Sequence, residues 1–242
     1  MTVPRTAMVL AAGLGLRMRP LTDTRPKALV EVGGKALIDH ILDRLVEAGV
    51  TTAVVNVHAH AEQMIAHLAA RSARDPALTL HISDERGALL ETGGGVKHAR
   101  TLLGEAPIWV ANSDYVWIDD DTPSALAGLA ALWNPAVMDA CVLVVPKDRT
   151  QGFDTPGDFF RAEDGRLTPR GSAETAPLHC FGVQILDPAK VYAVAETRFS
   201  LFNFWVAASA EGRLVGHVPT GFWMQVGDPQ ALEAAERRLR PR

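Results

Sequence analysis

A short apolar run near the N-terminus passes directly into a glycine-rich, positively charged loop, and this feature most constrains the fold. The run, residues 7–12, has the length and composition of a buried strand. Gly13 and Gly15 follow it, and Arg17 and Lys27 come soon after. Such a loop presents backbone N–H groups and fixed positive charges to an anion. We therefore expect a strand followed by a loop that binds a polyphosphate.

The spacing in this loop excludes two common phosphate-binding motifs. A dinucleotide fingerprint requires a third glycine where Met18 stands, and a Walker loop requires Gly-Lys-Ser/Thr. The alternative is an ordinary turn in which the two glycines relieve backbone strain and the arginines are solvated. The three cations Arg17, Arg19 and Lys27, at these positions, favour phosphate binding over that alternative.

Short apolar runs alternate with helical patterns along the first 150 residues, and this alternation predicts the fold class. The predicted strands cover residues 7–12, 52–57, 78–83, 108–112 and 140–145, and a helix with apolar residues at helical spacing is predicted over 37–46. Asp121-Thr122-Pro123 is typical of the start of a further helix. We expect an α/β fold with a Rossmann-like, mainly parallel sheet flanked by helices.

The second half of the chain begins with a stretch of different composition. Residues 150–177 are rich in Gly, Pro, Asp and Thr, which predicts a lid or insertion over the mouth of the sheet. Further strands are predicted over 178–186, 214–218 and 222–226, and helices over 202–210 and 231–239. We expect one domain over 1–242, with a nucleotide-binding core at about 1–149 and a small acceptor-binding lobe and C-terminal helix at 150–242.

Charge and cysteine content exclude several classes of partner. The formal net charge of the 242 residues is −4, so no basic face predicts binding to nucleic acid. The two cysteines lie in apolar, strand-like sequence, which is typical of buried thiols in a reducing compartment. Signal-peptide features and membrane-spanning apolar stretches are absent from the sequence. We expect a soluble, cytoplasmic protein that binds small molecules and does not bind a membrane.

The N-terminal loop resembles the signature of a known enzyme family. The pattern L-A-A-G-x-G-x-R-M-x-P-L-T over residues 10–22, followed by P-K-x-L-V over 26–30, is similar to that of the sugar-1-phosphate nucleotidyltransferases. The resemblance implies a nucleoside triphosphate and a sugar 1-phosphate as substrates and Mg²⁺ as cofactor. The nucleotide would be bound here by Leu10, Ala11, Ala12, Gly13, Gly15, Arg17 and Lys27. Arg17 is expected to hold the β- and γ-phosphates, and Lys27 to neutralise the α-phosphate as it is attacked.

The sequence Leu-Glu-Thr-Gly-Gly-Gly over residues 90–95 is a second candidate nucleotide contact. It precedes a helix predicted to begin near Val96, and successive glycines there let a flat ring lie against the backbone. A flexible turn is the alternative. The family carries a base-reading turn at this place, so the resemblance assigns nucleotide contacts to Glu91, Thr92, Gly93 and Gly94. This form of the turn is most similar to the uridylyltransferases that act on N-acetylmuramate 1-phosphate.

A third candidate site follows the predicted strand over 108–112. Asn112 is expected to contact both nucleotide and acceptor, and the carboxylate of Asp114 is suited to Mg²⁺, which prefers oxygen ligands. Asp114 as a simple helix cap or an exposed acid is the alternative. Its match to the family's metal motif favours a ligand, and with Arg17 and Lys27 it completes the predicted catalytic set.

The sequence departs from the family near its C-terminus. Gln225 stands where the family has a second metal-binding aspartate, and Asp228 stands where a threonine follows. Both are candidate metal ligands, but a glutamine carbonyl supplies no negative charge and should hold Mg²⁺ more weakly. This departure leaves open a nucleotide-sensing regulatory protein with poor catalysis.

The acceptor side is less specific in sequence. Asp158, in a Gly-Asp-Phe segment, either accepts hydrogen bonds from sugar hydroxyls or caps a turn. Another sugar 1-phosphate or phosphocholine, with a different base, remains an alternative to N-acetylmuramate 1-phosphate.

Overall fold

The structure is a computed structural model that describes residues 3–120 and 123–239. Two residues of the predicted helix start, Asp121 and Thr122, lie outside the described residues. The helix of that region begins at Ala125, where the Ser124 hydroxyl accepts a hydrogen bond from the Ala127 N–H (3.4 Å). A serine that caps the first turn in this way satisfies a backbone donor that the helix itself cannot pair.

Strands and helices alternate through most of the described chain. The strands are β1 (Thr6–Leu10), β2 (Glu31–Val32), β3 (Lys35–Ala36), β4 (Thr52–Val57), β5 (Thr79–Asp84), β6 (Ile108–Asn112), β7 (Tyr115–Ile118), β8 (Ala140–Pro146), β9 (Thr150–Gln151), β10 (Phe159–Arg161), β11 (Leu167–Pro169), β12 (Leu178–Leu186), β13 (Leu214–His217) and β14 (Phe222–Gln225). The helices are α1 (Leu37–Glu47), α2 (Ala61–Arg74), α3 (Glu91–His98), α4 (Arg100–Leu103), α5 (Ala125–Leu132), α6 (Pro188–Tyr192), α7 (Leu201–Ala210) and α8 (Pro229–Leu239).

One large sheet organises the molecule, in the order β11-β10-β12-β6-β1-β4-β5, with β8 paired to β12 and β13 paired to β8. Strands β6, β1, β4 and β5 run parallel to one another, as right-handed crossovers through helices require. The predicted α/β class with a Rossmann-like parallel core is confirmed. The carboxyl ends of β1, β4, β5 and β6 consequently share one edge of the sheet, and the polar residues that follow them lie there.

Helices cover both faces of this sheet, and the alternation of side chains along each strand explains why. In β1, Ala7 and Val9 contribute to one apolar cluster, whereas Met8 contributes to the other. The first cluster includes buried residues of α1, α2 and α5, and the second includes those of α3, α6 and α7. A strand buried on both faces reads as a continuous apolar run, which is the pattern that the sequence shows.

Strand β12 departs from the parallel pattern. It runs antiparallel to both β6 and β8, and its register shifts between Cys180 and Gln184. Gly182 lies in this irregular stretch with φ +67°, and a Cβ atom there would lie 2.6 Å from Asn112 Nδ2. A glycine is therefore required for β12 to pass this close to the end of β6. Because β12 pairs with β6, β8 and β10, the large sheet contains strands from before and after residue 150. The division into a nucleotide-binding core and an acceptor-binding lobe stays a prediction.

Helix α3 begins earlier than predicted. The sequence placed its start near Val96, but it begins at Glu91, so the glycines at 93–95 lie inside it. The N–H groups of Gly93 and Gly94 donate to the Phe199 carbonyl (2.9 and 3.1 Å). A Cβ atom at Gly93 would lie 2.3 Å from the Phe199 ring, and one at Gly94 would lie 2.4 Å from the Thr197 carbonyl oxygen. These two glycines let the Phe199 ring and the backbone of residues 197–198 pack closely on the first turn of α3.

Candidate active site

A cavity of about 590 Å³ opens at the carboxyl ends of the parallel strands, where ligands collect in open α/β sheets. Most of the predicted nucleotide-binding and catalytic residues line it: Leu10, Ala11, Ala12, Gly13, Gly15, Arg17, Lys27, Glu91, Thr92, Asn112 and Asp114. Gly93 and Gly94 do not line it, because they pack against residue 199 instead. The residues of this segment that line the cavity are their neighbours Glu91 and Thr92, and the contact of a nucleotide base with the segment stays a prediction.

Lys27 and Asp114 meet inside this cavity. Lys27 Nζ lies 2.5 Å from Asp114 Oδ2, and the two side chains are only 16% and 18% exposed. Gly15, with φ +62°, allows the loop to fold back on this lysine, since a Cβ atom there would lie 3.0 Å from Lys27 Cβ. A partly buried pair is less screened by water and salt than a surface pair, so it fixes both loops relative to each other.

Two further cations line the cavity, and both are paired with carboxylates on its rim. Arg17 Nη1 lies 3.2 Å from Asp154 Oδ2, and Arg198 Nε lies 3.2 Å from Glu91 Oε1. All four of these side chains are more than 40% exposed, so these pairs contribute little stability and are readily exchanged for another anion. Arg198 was missed by sequence reasoning, because it belongs to the connection between α6 and α7, far along the chain.

A buried polar network is hydrogen-bonded to the backbone at the start of the N-terminal loop. Asn56 Oδ1 accepts hydrogen bonds from the N–H groups of Ala11 (2.6 Å) and Ala12 (3.2 Å), and Asn56 Nδ2 donates to Glu85 Oε1 (2.8 Å). The Ala12 N–H, which the sequence analysis offered to the nucleotide, is thus engaged. Among the described residues, the N–H groups of Gly13 and Gly15 have no protein acceptor and remain free for a ligand.

Glu85 is the charged end of this network. It is 2% exposed, and burial raises the pKa of its carboxyl, although the hydrogen bond from Asn56 opposes this shift. Both residues were missed at the sequence level. The available signal was a single asparagine within the apolar run over 52–57, which in a buried strand must find polar partners.

A second, smaller cavity of about 240 Å³ adjoins the first and shares Leu10, Thr92 and Asn112 with it. Its walls combine aromatic side chains with polar groups, which is the usual composition of a site for a small polar ligand. Among the residues that line it are Tyr115, Phe153, Thr155, Asp158, Cys180 and Gln225.

Asp158 lies in this second cavity with one oxygen already engaged. Its Oδ2 accepts a hydrogen bond from the Cys180 N–H (2.8 Å), and the His179 ring lies near the same oxygen (3.9 Å). Burial lowers the pKa of His179, although the nearby Asp158 carboxylate opposes this shift. Asp158 therefore accepts a hydrogen bond from the β12 backbone, and its contact with a sugar hydroxyl stays a prediction.

The two candidate metal ligands near the C-terminus, Gln225 and Asp228, occupy different places. Gln225 lines the second cavity, where its Nε2 donates to the Tyr115 hydroxyl (3.3 Å). Asp228 lines neither cavity; its Oδ1 accepts a hydrogen bond from the Ala231 N–H (2.8 Å) and caps α8. Val226, the residue after β14, donates its N–H to the Asp114 carbonyl (2.8 Å) and so holds the Asp114 turn next to the end of β14.

Comparisons with known proteins agree with this geometry. The family model described as nucleotidyl transferase matches residues 6–154. The chain belongs to the nucleotidyl transferase family. It is 52% identical over 98% of its length to a Caulobacter vibrioides protein named N-acetylmuramate alpha-1-phosphate uridylyltransferase, of which 97% is covered. A protein of the same name from Neisseria meningitidis serogroup B is 34% identical over 95% of this chain and 96% of its own.

Solved structures show the same fold. A UDP-glucose pyrophosphorylase complexed with UDP-glucose superposes with a TM-score of 0.78 over 97% of this chain and 98% of its own, at 15% identity. The family assignment confirms the resemblance drawn from the N-terminal loop. Among the described residues, no helix has the length and apolar character needed to cross a membrane.

The raised pKa of Glu85 leads to a prediction about the pH dependence of stability. The unfolded chain loses this proton at lower pH than the folded protein does, so Glu85 lowers the free energy of unfolding as pH rises above about 4.5. Glu85→Gln removes this effect. The melting temperature of the variant relative to the wild type should therefore be higher at pH 7.5 than at pH 4.

Glu233→Gln is the matched control, because Glu233 is 76% exposed on α8. Its melting temperature relative to the wild type should not change with pH in this way. A relative melting temperature of Glu85→Gln that is equal at both pH values would contradict the assignment.

Proposed function

We propose that this nucleotidyl transferase joins UTP to N-acetylmuramate 1-phosphate, forming UDP-N-acetylmuramate and pyrophosphate. The observation that carries the proposal is the 52% identity, over 98% of the chain, to the Caulobacter protein of that activity. The paired cavities support it, because a triphosphate and a second phosphorylated ligand need adjacent sites with a shared wall. In this proposal the 590 Å³ cavity binds the nucleotide and the 240 Å³ cavity binds the acceptor.

The chemistry requires alignment and charge neutralisation. An oxygen of the sugar phosphate attacks the α-phosphorus; the new P–O bond forms as the bond to the bridging oxygen of the β-phosphate breaks, and pyrophosphate leaves with that electron pair. Thr92 and Asn112 line both cavities and so lie where the reacting phosphates meet. Holding the two reactants in this geometry is itself a large part of catalysis.

Cations of the first cavity stabilise the charge that develops. Lys27 faces the cavity from beside Asp114, and it neutralises the α-phosphate as a fifth oxygen approaches. Arg17, on the more exposed rim, binds the β- and γ-phosphates that depart as pyrophosphate. The Cys180 thiol beside the acceptor does not compete as a nucleophile, because burial raises its pKa to about 12 and keeps it protonated.

The residues of the site fit a magnesium ion that arrives with the nucleotide. Among the described residues, no group of three or more His, Cys, Asp or Glu side chains is arranged to hold a metal. Mg²⁺ usually binds one or two carboxylates together with substrate phosphates and waters. Asp114 would supply a carboxylate from the first cavity, and the Gln225 amide oxygen, in the adjoining cavity, would be a neutral second ligand. When bound, the ion would neutralise phosphate charge and orient the α-phosphate.

A pyrophosphate-release assay tests the proposed substrates. The protein is incubated with each of the four nucleoside triphosphates and a panel of sugar 1-phosphates plus phosphocholine. UTP with N-acetylmuramate 1-phosphate should be the fastest pair by at least about tenfold in kcat/KM, the equivalent of roughly 1.4 kcal/mol. A faster different pair would overturn the substrate assignment, and nucleotide binding without release by any pair would indicate a regulatory protein.

Removal of either member of the central pair should abolish most turnover. Lys27→Ala and Asp114→Ala each take away a charge that faces the reacting phosphates, so kcat should fall by about 10²- to 10³-fold. Lys35→Ala is the control, because Lys35 is an exposed lysine of the β2–β3 hairpin paired with Asp43, outside both cavities. Near-normal kcat in Lys27→Ala would show that this lysine is not catalytic.

The substitution Gln225→Asp should change the metal requirement. A second carboxylate beside Asp114 adds negative charge to the proposed ion site, so the Mg²⁺ concentration for half-maximal rate should fall several-fold. Gln151→Asp introduces the same charge at an exposed position of β9, next to β14, and serves as the control. An unchanged Mg²⁺ dependence in Gln225→Asp would place this residue outside the coordination sphere.

A further inference from the structure

A short segment between β9 and β10, residues 152–157, lines the acceptor cavity, pairs with Arg17 of the nucleotide cavity and is fixed at its two ends. Gly152 has φ +80°, and a Cβ atom there would lie 2.1 Å from the Gln225 carbonyl oxygen. Gly157 has φ +98°, and a Cβ atom there would lie 2.0 Å from the Ala176 carbonyl oxygen. Both glycines are therefore packed against backbone, and the four residues between them form a bridge between fixed ends.

Neighbouring residues of this bridge face different ligand sites. Asp154 is paired with Arg17 on the rim of the nucleotide cavity. Phe153, directly before it, lines the acceptor cavity and stacks on Tyr115 and His179, with ring centroids 5.8 and 4.7 Å apart. Thr155, directly after it, lines the same cavity, and its hydroxyl is hydrogen-bonded to His179 Nδ1 (3.0 Å).

A triphosphate and Asp154 compete for the same guanidinium. Arg17 and Asp154 are 57% and 71% exposed, so their pair is weak and a multiply charged phosphate chain displaces the carboxylate. A phosphate chain bound at Arg17 places negative charge beside the Asp154 carboxylate, and this repulsion weakens the contact between Asp154 and Arg17. Loss of this contact frees Asp154, and Phe153 and Thr155 are its immediate neighbours in the chain.

The acceptor cavity is small while the pair is formed. Its volume of about 240 Å³ lies below the usual range for small-molecule sites, which begins at roughly 300 Å³. Phe153 and Thr155 occupy one wall of it. A shift of the bridge would therefore change the space available to the acceptor.

We propose that Asp154 is a positioning residue that couples the two sites. While the nucleotide is absent, Asp154 is paired with Arg17, and Phe153 and Thr155 stay in the positions that narrow the acceptor cavity. Triphosphate binding takes Arg17 from Asp154 and allows Phe153 and Thr155 to shift. The acceptor cavity then widens, so the nucleotide strengthens acceptor binding. The inference rests on the proposed function for the identity of the two ligands, but its first test uses nucleotide alone.

The first test measures UTP binding by calorimetry with wild type, Asp154→Asn and Asp148→Asn. Removing the competing carboxylate should tighten UTP binding by about two- to fivefold, the range expected for an exposed ion pair. Asp148 is an exposed acid just before β9 and controls for a general loss of negative charge. In an Arg17→Ala background, Asp154→Asn should have no effect.

The outcomes separate the two proposals. Absence of UTP binding by the wild type contradicts the proposed function. Normal UTP binding by the wild type that Asp154→Asn leaves unchanged, or tightens equally in the Arg17→Ala background, overturns the role of Asp154 alone.

The second test measures the coupling itself. Binding of N-acetylmuramate 1-phosphate is compared with and without α,β-methylene-UTP, which cannot be cleaved at the reacting bond. In the wild type the nucleotide should tighten acceptor binding, and in Asp154→Asn the ratio of the two acceptor affinities should fall toward one. A ratio equal to that of the wild type would overturn the coupling.

Discussion

The contact between Lys27 and Asp114 is the interaction on which the site depends. It joins the loop that follows β1 to the turn that follows β6, and these two strands are hydrogen-bonded neighbours in the sheet. Because both side chains are mostly buried, each charge needs the other while no ligand is bound. A nucleotide that enters with its own negative charge gives Lys27 a second partner. Lys27 and Asp114 thus stabilise each other in the absence of a ligand, and in the proposed complex both lie at the same triphosphate.

The remainder of the fold positions this pair. The Asn56 side chain accepts hydrogen bonds from the N–H groups of residues 11 and 12. Val226, directly after β14, donates its N–H to the Asp114 carbonyl and holds that turn. Polar groups buried in this way keep a single geometry, because any displacement would leave a donor or acceptor unpaired in a dry environment. The exposed pairs on the rim are different in kind. They are weakly held, so they can exchange partners when a ligand arrives.

Much of the parallel core could be predicted from the sequence, because a strand buried on both faces is a continuous apolar run with clear ends. The runs over 52–57, 108–112 and 178–186 match β4, β6 and β12 residue for residue. The direction of β12 could not be predicted, since an apolar run carries no information about whether its partner is parallel or antiparallel. The short strands β9, β10 and β11 were missed because two or three residues are too few to show a period.

The site was predictable where chemistry is concentrated in short motifs and not where it depends on distant contacts. Arg17, Lys27 and Asp114 meet at one cavity as the motifs suggested, although their catalytic roles stay predictions. The packing role of Gly93 and Gly94 could not be predicted, because the atoms that crowd them belong to Phe199 and Thr197, more than 100 residues away. Arg198 and Asp154 reach the rim from segments without a recognisable pattern. Such contacts are set by the tertiary fold alone.

The most direct measurement of the central claim is a crystal structure of the protein with α,β-methylene-UTP and magnesium. The account predicts the triphosphate in the 590 Å³ cavity, with Lys27 Nζ within hydrogen-bond distance of an α-phosphate oxygen and Asp114 facing the same phosphate. A triphosphate bound elsewhere, with the Lys27–Asp114 contact unchanged and no phosphate beside it, would contradict it.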